Sequence, residues 1–235
     1  MFKVIPIGVN GLYATENSPS SCYLLNAGGK NILLDVGSGA FARLQTFIKP
    51  EDLDAIIISH FHFDHFSDIG VFGYYMQSKK ERIKLFAPNS EEHIKMFSLD
   101  KRFDTETVFP YKQVVSGDIV IKFIPCRHPI ETYALKVEYG GRTFCYTADT
   151  NDCAAVDEMF SSDLVLCDSA FTVETWAEGK PHLSAKLCAE YAKKHGAKTL
   201  LTHLDPSRDR GDYLKEASLI TDLCSLAEVG KEYEV

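Results

Sequence analysis

The stretch His60-Phe61-His62-Phe63-Asp64-His65 places four potential metal ligands within six residues. It follows residues 54–59, a short β-branched run (Asp-Ala-Ile-Ile-Ile-Ser) that predicts a buried strand ending in a loop. A lone histidine in a loop is usually exposed, but three beside an aspartate favour a metal site, because imidazole and carboxylate suit Zn²⁺ and related ions. Four ligands from so short a stretch cannot all point at one centre. We therefore predict two neighbouring sites, with His60 and His62 on one and Asp64 and His65 on the other.

The composition is that of an ordinary globular protein, with 235 residues, 45% hydrophobic and 25% charged. The apolar runs fall short of the roughly 18 residues of a membrane span. Residues 1–8 are too short and too strand-like for a signal peptide, so we predict a cytoplasmic protein. The seven cysteines include no Cys-x-x-Cys pair and are expected to be buried free thiols without a catalytic role, Cys167 beside Asp168 included.

Further candidate ligands follow predicted strands. They are His128 after residues 119–125, Asp149 after residues 142–147, and His203 after residues 198–202. In a sandwich of sheets, strand ends gather along one edge, so these side chains can converge although they are far apart in sequence. Asp168 follows another predicted strand, residues 163–167.

Asp35 and His182 each allow two interpretations. Asp35 ends the predicted strand 31–36 and is either a turn residue or a partner of a metal-bound imidazole. His182 precedes a predicted helix over 183–194, and is either a cap or surface residue or a functional group at the helix N-terminus, where an anionic phosphate would be favoured. His93 and His195 lie in predicted helices among charged residues and are expected to be exposed.

The order of predicted elements indicates the architecture. Strands come in two groups, each followed by helices, which predicts two sheets packed face to face with helices outside. We therefore expect an α+β fold, a four-layer αββα sandwich, forming a single domain over residues 1–235. Residues 99–108 are polar and aromatic without clear period, and their structure is left open.

This set of motifs resembles the metallo-β-lactamase superfamily over nearly the whole chain. The His-x-His-x-Asp-His motif stands at 60–65, and the turn Leu34-Asp35-Val36-Gly37-Ser38-Gly39 matches the superfamily's Asp-x-Gly turn. His128, Asp149 and His203 follow in the expected order. Within the superfamily the chain looks most like the ribonuclease Z and small phosphodiesterase branch, whose His-Ser-Thr-Ala-like segment is matched by His182-Leu183-Ser184-Ala185, and whose upstream acid is matched by Asp168.

The resemblance implies a dinuclear centre and roles for its residues. One metal would take His60, His62 and His128, the other Asp64, His65 and His203, and Asp149 would bridge them. The expected cofactors are two divalent ions, most readily Zn²⁺, although the same ligands accept Mn²⁺ or Fe²⁺. Two such ions can activate a hydroxide for in-line displacement. His182 would protonate the leaving group, and Asp168 would hold its other nitrogen and raise its pKa. Asp64 is the ligand whose loss should abolish turnover.

Departures from ribonuclease Z direct the prediction towards a smaller substrate. The family's tRNA-gripping arm has no room, because only the hairpin 132–147 lies between His128 and Asp149. Asp168 replaces the more usual Glu, and Ala148 replaces a common Gly. We predict a phosphodiesterase acting on a small, linear or cyclic, phosphodiester. The alternatives are a thioester or lactone hydrolase, in which His182 would be incidental, and a non-enzymatic binding protein. A redox diiron centre is disfavoured because His62 stands where those relatives have Glu.

The expected partner is a small anionic substrate. A long nucleic acid is not expected, because the formal charge is −8 and no Lys/Arg cluster is visible. No membrane association is predicted. A homodimer is implied by the resemblance alone, with Phe72, Tyr74 and Tyr75 as candidate contact residues.

Overall fold

The computed structural model describes residues 1–79 and 81–235, which form two compact units. Unit 1 comprises Met1–Phe109 with Val229–Glu234, and unit 2 comprises Pro110–Glu228 with Val235. The described part of each unit contains one seven-stranded sheet and its own helices. The two predicted groups of strands are therefore two separate sheets. The single domain over 1–235 stays a prediction.

The sheet of unit 1 is mixed. Its strands are β1 (Phe2–Gly8), β2 (Cys22–Ala27), β3 (Lys30–Leu34), β4 (Ala55–Ile57), β5 (Lys84–Ala87), β6 (Asp104–Thr107) and, from the end of the chain, β14 (Tyr233–Glu234). Their order is β14-β1-β2-β3-β4-β5-β6. The strands from β14 to β3 pair antiparallel, and those from β3 to β6 pair parallel. The chain therefore leaves β3 and β4 on the same edge of the sheet.

Short helices cover this sheet. They are α1 (Ala40–Leu44), α2 (Phe63–Phe66), α3 (Ile69–Met76), α4 (Glu91–Met96) and α5 (Leu99–Arg102), with a 3-10 turn at Pro50–Asp52. Buried side chains of strands and helices form one cluster, which includes Leu33, Ile56, Phe66 and Phe72. The loop after β4 thus packs against buried aromatic residues of this cluster.

The sheet of unit 2 contains β7 (Gln113–Ser116), β8 (Ile119–Pro125), β9 (Tyr133–Tyr139), β10 (Arg142–Tyr146), β11 (Leu164–Asp168), β12 (Lys198–Thr202) and β13 (Cys224–Leu226) in the order β13-β12-β11-β10-β9-β8-β7. Strands β10 to β13 are parallel. The helices are α6 (Val156–Phe160), α7 (Ala185–His195) and α8 (Arg210–Ser218). Because β10, β11 and β12 are parallel neighbours, their carboxyl ends meet at one edge.

The stretch 99–108, whose structure the sequence leaves open, forms α5 and the edge strand β6. Three expectations are corrected, those for Phe72, His93 and His195. Phe72, a candidate dimer contact, lies in the core of unit 1. His93 is not fully exposed: its ring stacks on Phe61, with centroids 4.5 Å apart.

His195 is likewise only partly exposed, with its Nε2 2.7 Å from Asp157 Oδ1. All seven cysteines are free thiols, as expected, and five of them are buried, but Cys126 and Cys153 are only partly buried. Among the described residues, no helix has the length and apolarity that crossing a membrane requires.

Candidate functional site

The His60–His65 loop occupies the edge where β4 ends. After Ile57 the chain leaves the ladder, and α2 begins directly after His62, so Asp64 and His65 lie in its single turn. His60 and His65 are fully buried, with ring centroids 4.1 Å apart. His60 Nε2 lies 3.2 Å from His62 Nδ1, and Asp64 Oδ2 lies 3.7 Å from His65 Nε2. The structure therefore brings the four predicted ligands of unit 1 together.

The buried carboxylate of Asp35 binds this loop. It follows β3 with a φ of 57°, and its carboxylate accepts hydrogen bonds from the Ser59 backbone N–H at 2.7 Å and the Ser59 hydroxyl at 2.8 Å. Its Oδ2 also lies 2.8 Å from His65 Nδ1. Both interpretations of Asp35 thus apply, because it adopts a turn conformation and orients the imidazole of a predicted ligand.

The glycine two residues later permits a close approach. A Cβ atom on Gly37 would lie 2.1 Å from the carbonyl oxygen of Asp64. The Val36 N–H donates to the His65 carbonyl at 2.7 Å in the same place. The Asp-x-Gly turn therefore holds the loop in two ways. The Asp35 carboxylate binds it, and the missing side chain of Gly37 lets its backbone approach the turn closely.

A second cluster lies at the shared edge of β10, β11 and β12 in unit 2. Asp149, Asp168, His182 and His203 each offer a ligand atom within 4.8 Å of the others. His203 Nε2 is 3.4 Å from Asp149 Oδ1, and His203 Nδ1 is 3.4 Å from Asp168 Oδ1. His128 adjoins this group, with its Nε2 3.8 Å from Asp149 Oδ2.

Backbone strain marks two of these positions. Ala148 has a φ of 49° and His203 a φ of 57°. These values lie in the left-handed backbone region, which residues other than glycine seldom adopt. Ala148 lies between the end of β10 and Asp149. Such strain is concentrated at functional sites, where the surrounding structure maintains it.

Asp168 and His182 form a close pair. Asp168 Oδ2 is 2.9 Å from His182 Nδ1 and accepts from the Thr150 N–H at 3.1 Å, while Oδ1 accepts from the Ala170 N–H at 3.1 Å. Burial raises the pKa of Asp168, but the charges of His182 and His203 and their hydrogen bonds outweigh it, so the pKa falls below its ordinary value. Burial lowers the pKa of His182, and Asp168 and Asp149 reverse this to a net rise.

The orientation of the imidazoles fits metal binding. The Nδ1 atoms of His60, His65 and His128 face oxygens of Ser59 (3.0 Å), Asp35 (2.8 Å) and Pro181 (3.2 Å, backbone carbonyl). In metal sites the nitrogen that does not bind the ion usually makes such a contact, which fixes the ring. The residues present therefore suit divalent ions held through Nε2 atoms and carboxylates.

The N-terminus of α7 differs from expectation. The helix begins at Ala185, three residues after His182, and Ser184 is its cap. Its first N–H groups are already bonded: Ala185 N to the Phe171 carbonyl, Lys186 N to Glu216, and Leu187 N to the Ser184 hydroxyl. This helix end does not offer an anion site beside His182, contrary to the prediction.

Phe63 and Cys167 complete the predicted residues. Phe63, which lies between two predicted ligands, is 71% exposed, whereas Phe61 is buried. The Cys167 and Cys188 sulfurs lie 3.1 Å apart in the core, and burial raises the pKa of the Cys167 thiol well above its ordinary value. A thiol held protonated in this way is a packing residue.

Two features escaped the sequence analysis. The Leu12 backbone N–H donates to Asp64 Oδ2 at 2.9 Å, and Leu12 has a φ of 60°. Leu12 (65% exposed), Tyr13 (48%) and Phe63 form what we call the apolar rim of unit 1. The second feature is Asn151, whose amide binds the loop before His182. A backbone donor and a buried amide carry no sequence signature, so no pattern could have revealed them.

Comparison with known proteins identifies the family. Residues 15–151 match the model of the metallo-beta-lactamase superfamily. The chain belongs to this superfamily. It is 27% identical over 232 residues to the probable metallo-hydrolase YhfI of Bacillus subtilis, covering 93% of each chain, and 25% identical to a ribonuclease Z of Methanosarcina acetivorans, covering 100% of this chain and 98% of that protein.

Solved structures of the superfamily confirm the fold. The crystal structure of YhfI superposes with a TM-score of 0.92 at 28% identity over 100% of both chains. The short form of human tRNase Z gives 0.81 at 18% identity, covering 99% of this chain and 98% of that one, and shows the fold alone. The predicted α+β fold of the metallo-β-lactamase type is therefore correct, and the chain is a metallo-hydrolase of this superfamily with a His/Asp cluster able to hold metal.

Proposed function

We propose that this metallo-hydrolase is a phosphodiesterase that cleaves a small linear or cyclic phosphodiester, with His182 as the proton donor to the leaving group. The observation that carries the proposal is the 2.9 Å contact between His182 Nδ1 and Asp168 Oδ2 inside the cluster that also contains Asp149 and His203. Hydrolysis of an alkyl phosphodiester expels a poor leaving group, which needs a proton. Hydrolysis of a thioester expels a thiolate, which leaves without a proton far more readily than an alkoxide does.

The Asp168 carboxylate determines which nitrogen of His182 can act. With Nδ1 facing Asp168, Nε2 on the opposite side of the ring is the atom that can transfer a proton. His182 is 12% exposed, so the ring is largely shielded from water but not sealed from a substrate. Asp168 is itself fixed by the N–H groups of Thr150 and Ala170, so it holds the ring in one orientation.

The proposed metals are two divalent ions, with Zn²⁺ first and Mn²⁺ or Fe²⁺ as alternatives. When bound, such ions supply a nucleophilic water at neutral pH and stabilise the oxygens of the reacting phosphate. The ligand set implied by the superfamily, His60, His62, His128 and then Asp64, His65, His203 with Asp149 between them, remains a prediction. The Nδ1 contacts of His60, His65 and His128 support it, since in each ring they direct Nε2 away from the orienting oxygen.

A small substrate is favoured over a long nucleic acid. The chain between His128 and Asp149 is only the β9–β10 hairpin, whose strands pair directly from Tyr139 and Arg142 back to Leu135 and Tyr146. The formal charge of −8 would repel a polyanion. The ribonuclease Z relative supports chemistry at phosphorus, and the apolar rim beside Asp64 favours an organic ester group on the substrate.

The test compares leaving groups in the wild type and in His182→Ala. We expect the variant to lose about 10²- to 10⁴-fold in kcat on diesters with an alkoxide or phenol leaving group. The loss should be much smaller on p-nitrophenyl esters, because p-nitrophenolate leaves without a proton. His195→Ala is the matched control, since His195 also contacts an aspartate, Asp157, at 2.7 Å. Equal losses on both classes of ester would contradict the proposed role.

The second candidate function is hydrolysis of a thioester or lactone. The exposed apolar rim favours this function because it offers a surface on which the acyl chain of such a substrate could lie. For a thioester substrate, His182→Ala would retain near-normal rates, because a thiolate leaves without a proton. A panel of acyl thioesters and lactones assayed beside the phosphodiesters separates the two functions.

A further inference from the structure

Asn151 links the three segments of unit 2 that carry predicted site residues. It is fully buried and lies two residues after Asp149. Its backbone N–H donates to the Arg127 carbonyl at 3.0 Å, directly before His128. Its side chain reaches the segment before His182. One residue therefore contacts the chain next to His128, Asp149 and His182.

The side-chain amide is engaged on both sides. Its Nδ2 group lies within hydrogen-bond distance of three backbone carbonyls, those of Ala177 (3.2 Å), Glu178 (3.0 Å) and Lys180 (2.5 Å). Its Oδ1 accepts from Trp176 Nε1 at 2.9 Å and from the Asp152 N–H at 2.6 Å. The nitrogen meets only acceptors and the oxygen meets only donors, so the orientation of the amide is unambiguous.

Little packing holds the segment that Asn151 binds. Residues 177–180 are exposed, so little apolar burial fixes them. Pro181 and His182 follow directly. The Pro181 carbonyl lies 3.2 Å from His128 Nδ1, and His182 Nδ1 lies 2.9 Å from Asp168. The position of both contacts therefore depends on polar bonds to the preceding residues, and the amide of Asn151 makes several of these.

We propose that Asn151 is a positioning residue that holds the 176–180 segment, which we call the amide-held loop, and thereby sets His182 against Asp168 and the Pro181 carbonyl against His128. Asn151 transfers no proton and touches no reacting atom. Its catalytic consequence rests on the proposed phosphodiesterase function. Its structural consequence does not, and can be measured by itself.

The structural measurement uses the chain's one tryptophan. Because Trp176 donates to Asn151 Oδ1, its fluorescence reports on the amide-held loop. In Asn151→Ala we expect acrylamide quenching of Trp176 to rise towards that of the urea-unfolded protein, while far-UV circular dichroism stays that of a folded chain. Asn151→Asp should do the same, because a carboxylate would face three carbonyl oxygens. Glu178→Ala, which alters an exposed side chain in the same loop, is the matched control and should leave quenching unchanged.

The kinetic measurement separates positioning from general destabilisation. On diesters with a poor leaving group, Asn151→Ala should lower kcat by about tenfold to a hundredfold with KM nearly unchanged, as a displaced catalytic group does. The loss on p-nitrophenyl esters should be small. The double variant Asn151→Ala/His182→Ala should be no slower than His182→Ala alone, because both changes remove the same proton transfer.

The outcomes distinguish the positioning role of Asn151 from the proposed phosphodiesterase function. Unchanged Trp176 quenching in a folded Asn151→Ala protein would overturn the inference, whatever the activity. Losses that multiply in the double variant would also overturn it, because Asn151 would then act independently of His182. A wild-type protein without phosphodiester turnover would contradict the proposed function but would leave the quenching result to decide the role of Asn151.

Discussion

The Oδ2 atom of Asp35 lies 2.8 Å from Nδ1 of His65, and both side chains are completely buried. This contact joins the end of β3 to the short helix α2, which carries Asp64 and His65. The same carboxylate binds Ser59, the residue before His60. One buried carboxylate thus fixes both ends of the histidine-rich loop, and it does so without being a predicted ligand.

Replacing Asp35 should weaken metal binding more than it disturbs the fold. Partners that orient a metal-binding histidine typically contribute 10- to 100-fold to affinity. We expect Asp35→Asn to lower affinity for Zn²⁺ by about that factor, measured by competition with a chromophoric chelator. Asp54→Asn is the control, because Asp54 accepts hydrogen bonds from Lys30 and Asn31 at the surface of the same unit. Equal affinities in the Asp35 variant and the wild type would contradict this role.

Gly37 should be intolerant of any side chain. An added Cβ would meet the Asp64 carbonyl oxygen at 2.1 Å, so the loop or the turn must move. We expect Gly37→Ala to lower the free energy of unfolding by about 1–3 kcal/mol, as overpacking does, and to weaken metal binding. Urea denaturation measures the first effect. Gly179→Ala, where a Cβ would meet nothing within 4 Å, should be nearly neutral. A fully stable Gly37→Ala protein would show that the close approach is not required.

Asp163 should make stability depend on pH in the acid range. It accepts from the Thr143 N–H at 2.8 Å and the Thr143 hydroxyl at 2.9 Å, and these bonds lower the pKa of Asp163. A carboxyl with a lowered folded pKa stabilises the protein above its unfolded pKa of 3.8, and that contribution is lost as pH falls through the folded pKa.

We therefore expect Asp163→Asn to be less stable than the wild type at pH 7, with the difference shrinking below about pH 4. The effect should be at most about 1 kcal/mol, because 34% of the side chain is exposed and solvent screens it. Urea denaturation across this pH range measures it, with Asp118→Asn in the β7–β8 turn as control. A difference in the free energy of unfolding that grows as the pH falls would contradict this prediction.

Phe63 should affect substrate choice and leave metal binding intact. It is exposed and adjoins Asp64, so truncation removes apolar surface at the site without opening the core. We expect Phe63→Ala to raise KM for bis(p-nitrophenyl) phosphate several-fold while changing KM for methyl p-nitrophenyl phosphate little, since burying an aromatic ring contributes about 1 kcal/mol or more. Val71→Ala, exposed on α3, is the control. An equal change for both esters would remove Phe63 from the substrate site.

Much of the candidate site could be predicted because its candidate ligands either lie together in sequence or follow neighbouring strands. Residues 60–65 are local, and Asp149, Asp168 and His203 follow strands whose parallel order brings them together. Strand β6 could not be predicted, because its residues are polar and form a sheet edge, where burial imposes no alternation. The sequence also could not show that the N–H groups at the α7 N-terminus are already bonded, since their acceptors belong to Phe171 and Glu216, which are distant in sequence.

The most direct test of the central claim is hydrolysis of bis(p-nitrophenyl) phosphate by protein purified without chelator, with metal content determined on the same sample. We predict turnover with about two divalent ions per chain, abolished by chelation and by Asp64→Ala in a variant that remains folded. Two ions without turnover on this or other phosphodiesters would contradict phosphodiester hydrolysis, and undiminished kcat in Asp64→Ala would remove the His60–His65 loop from the active site.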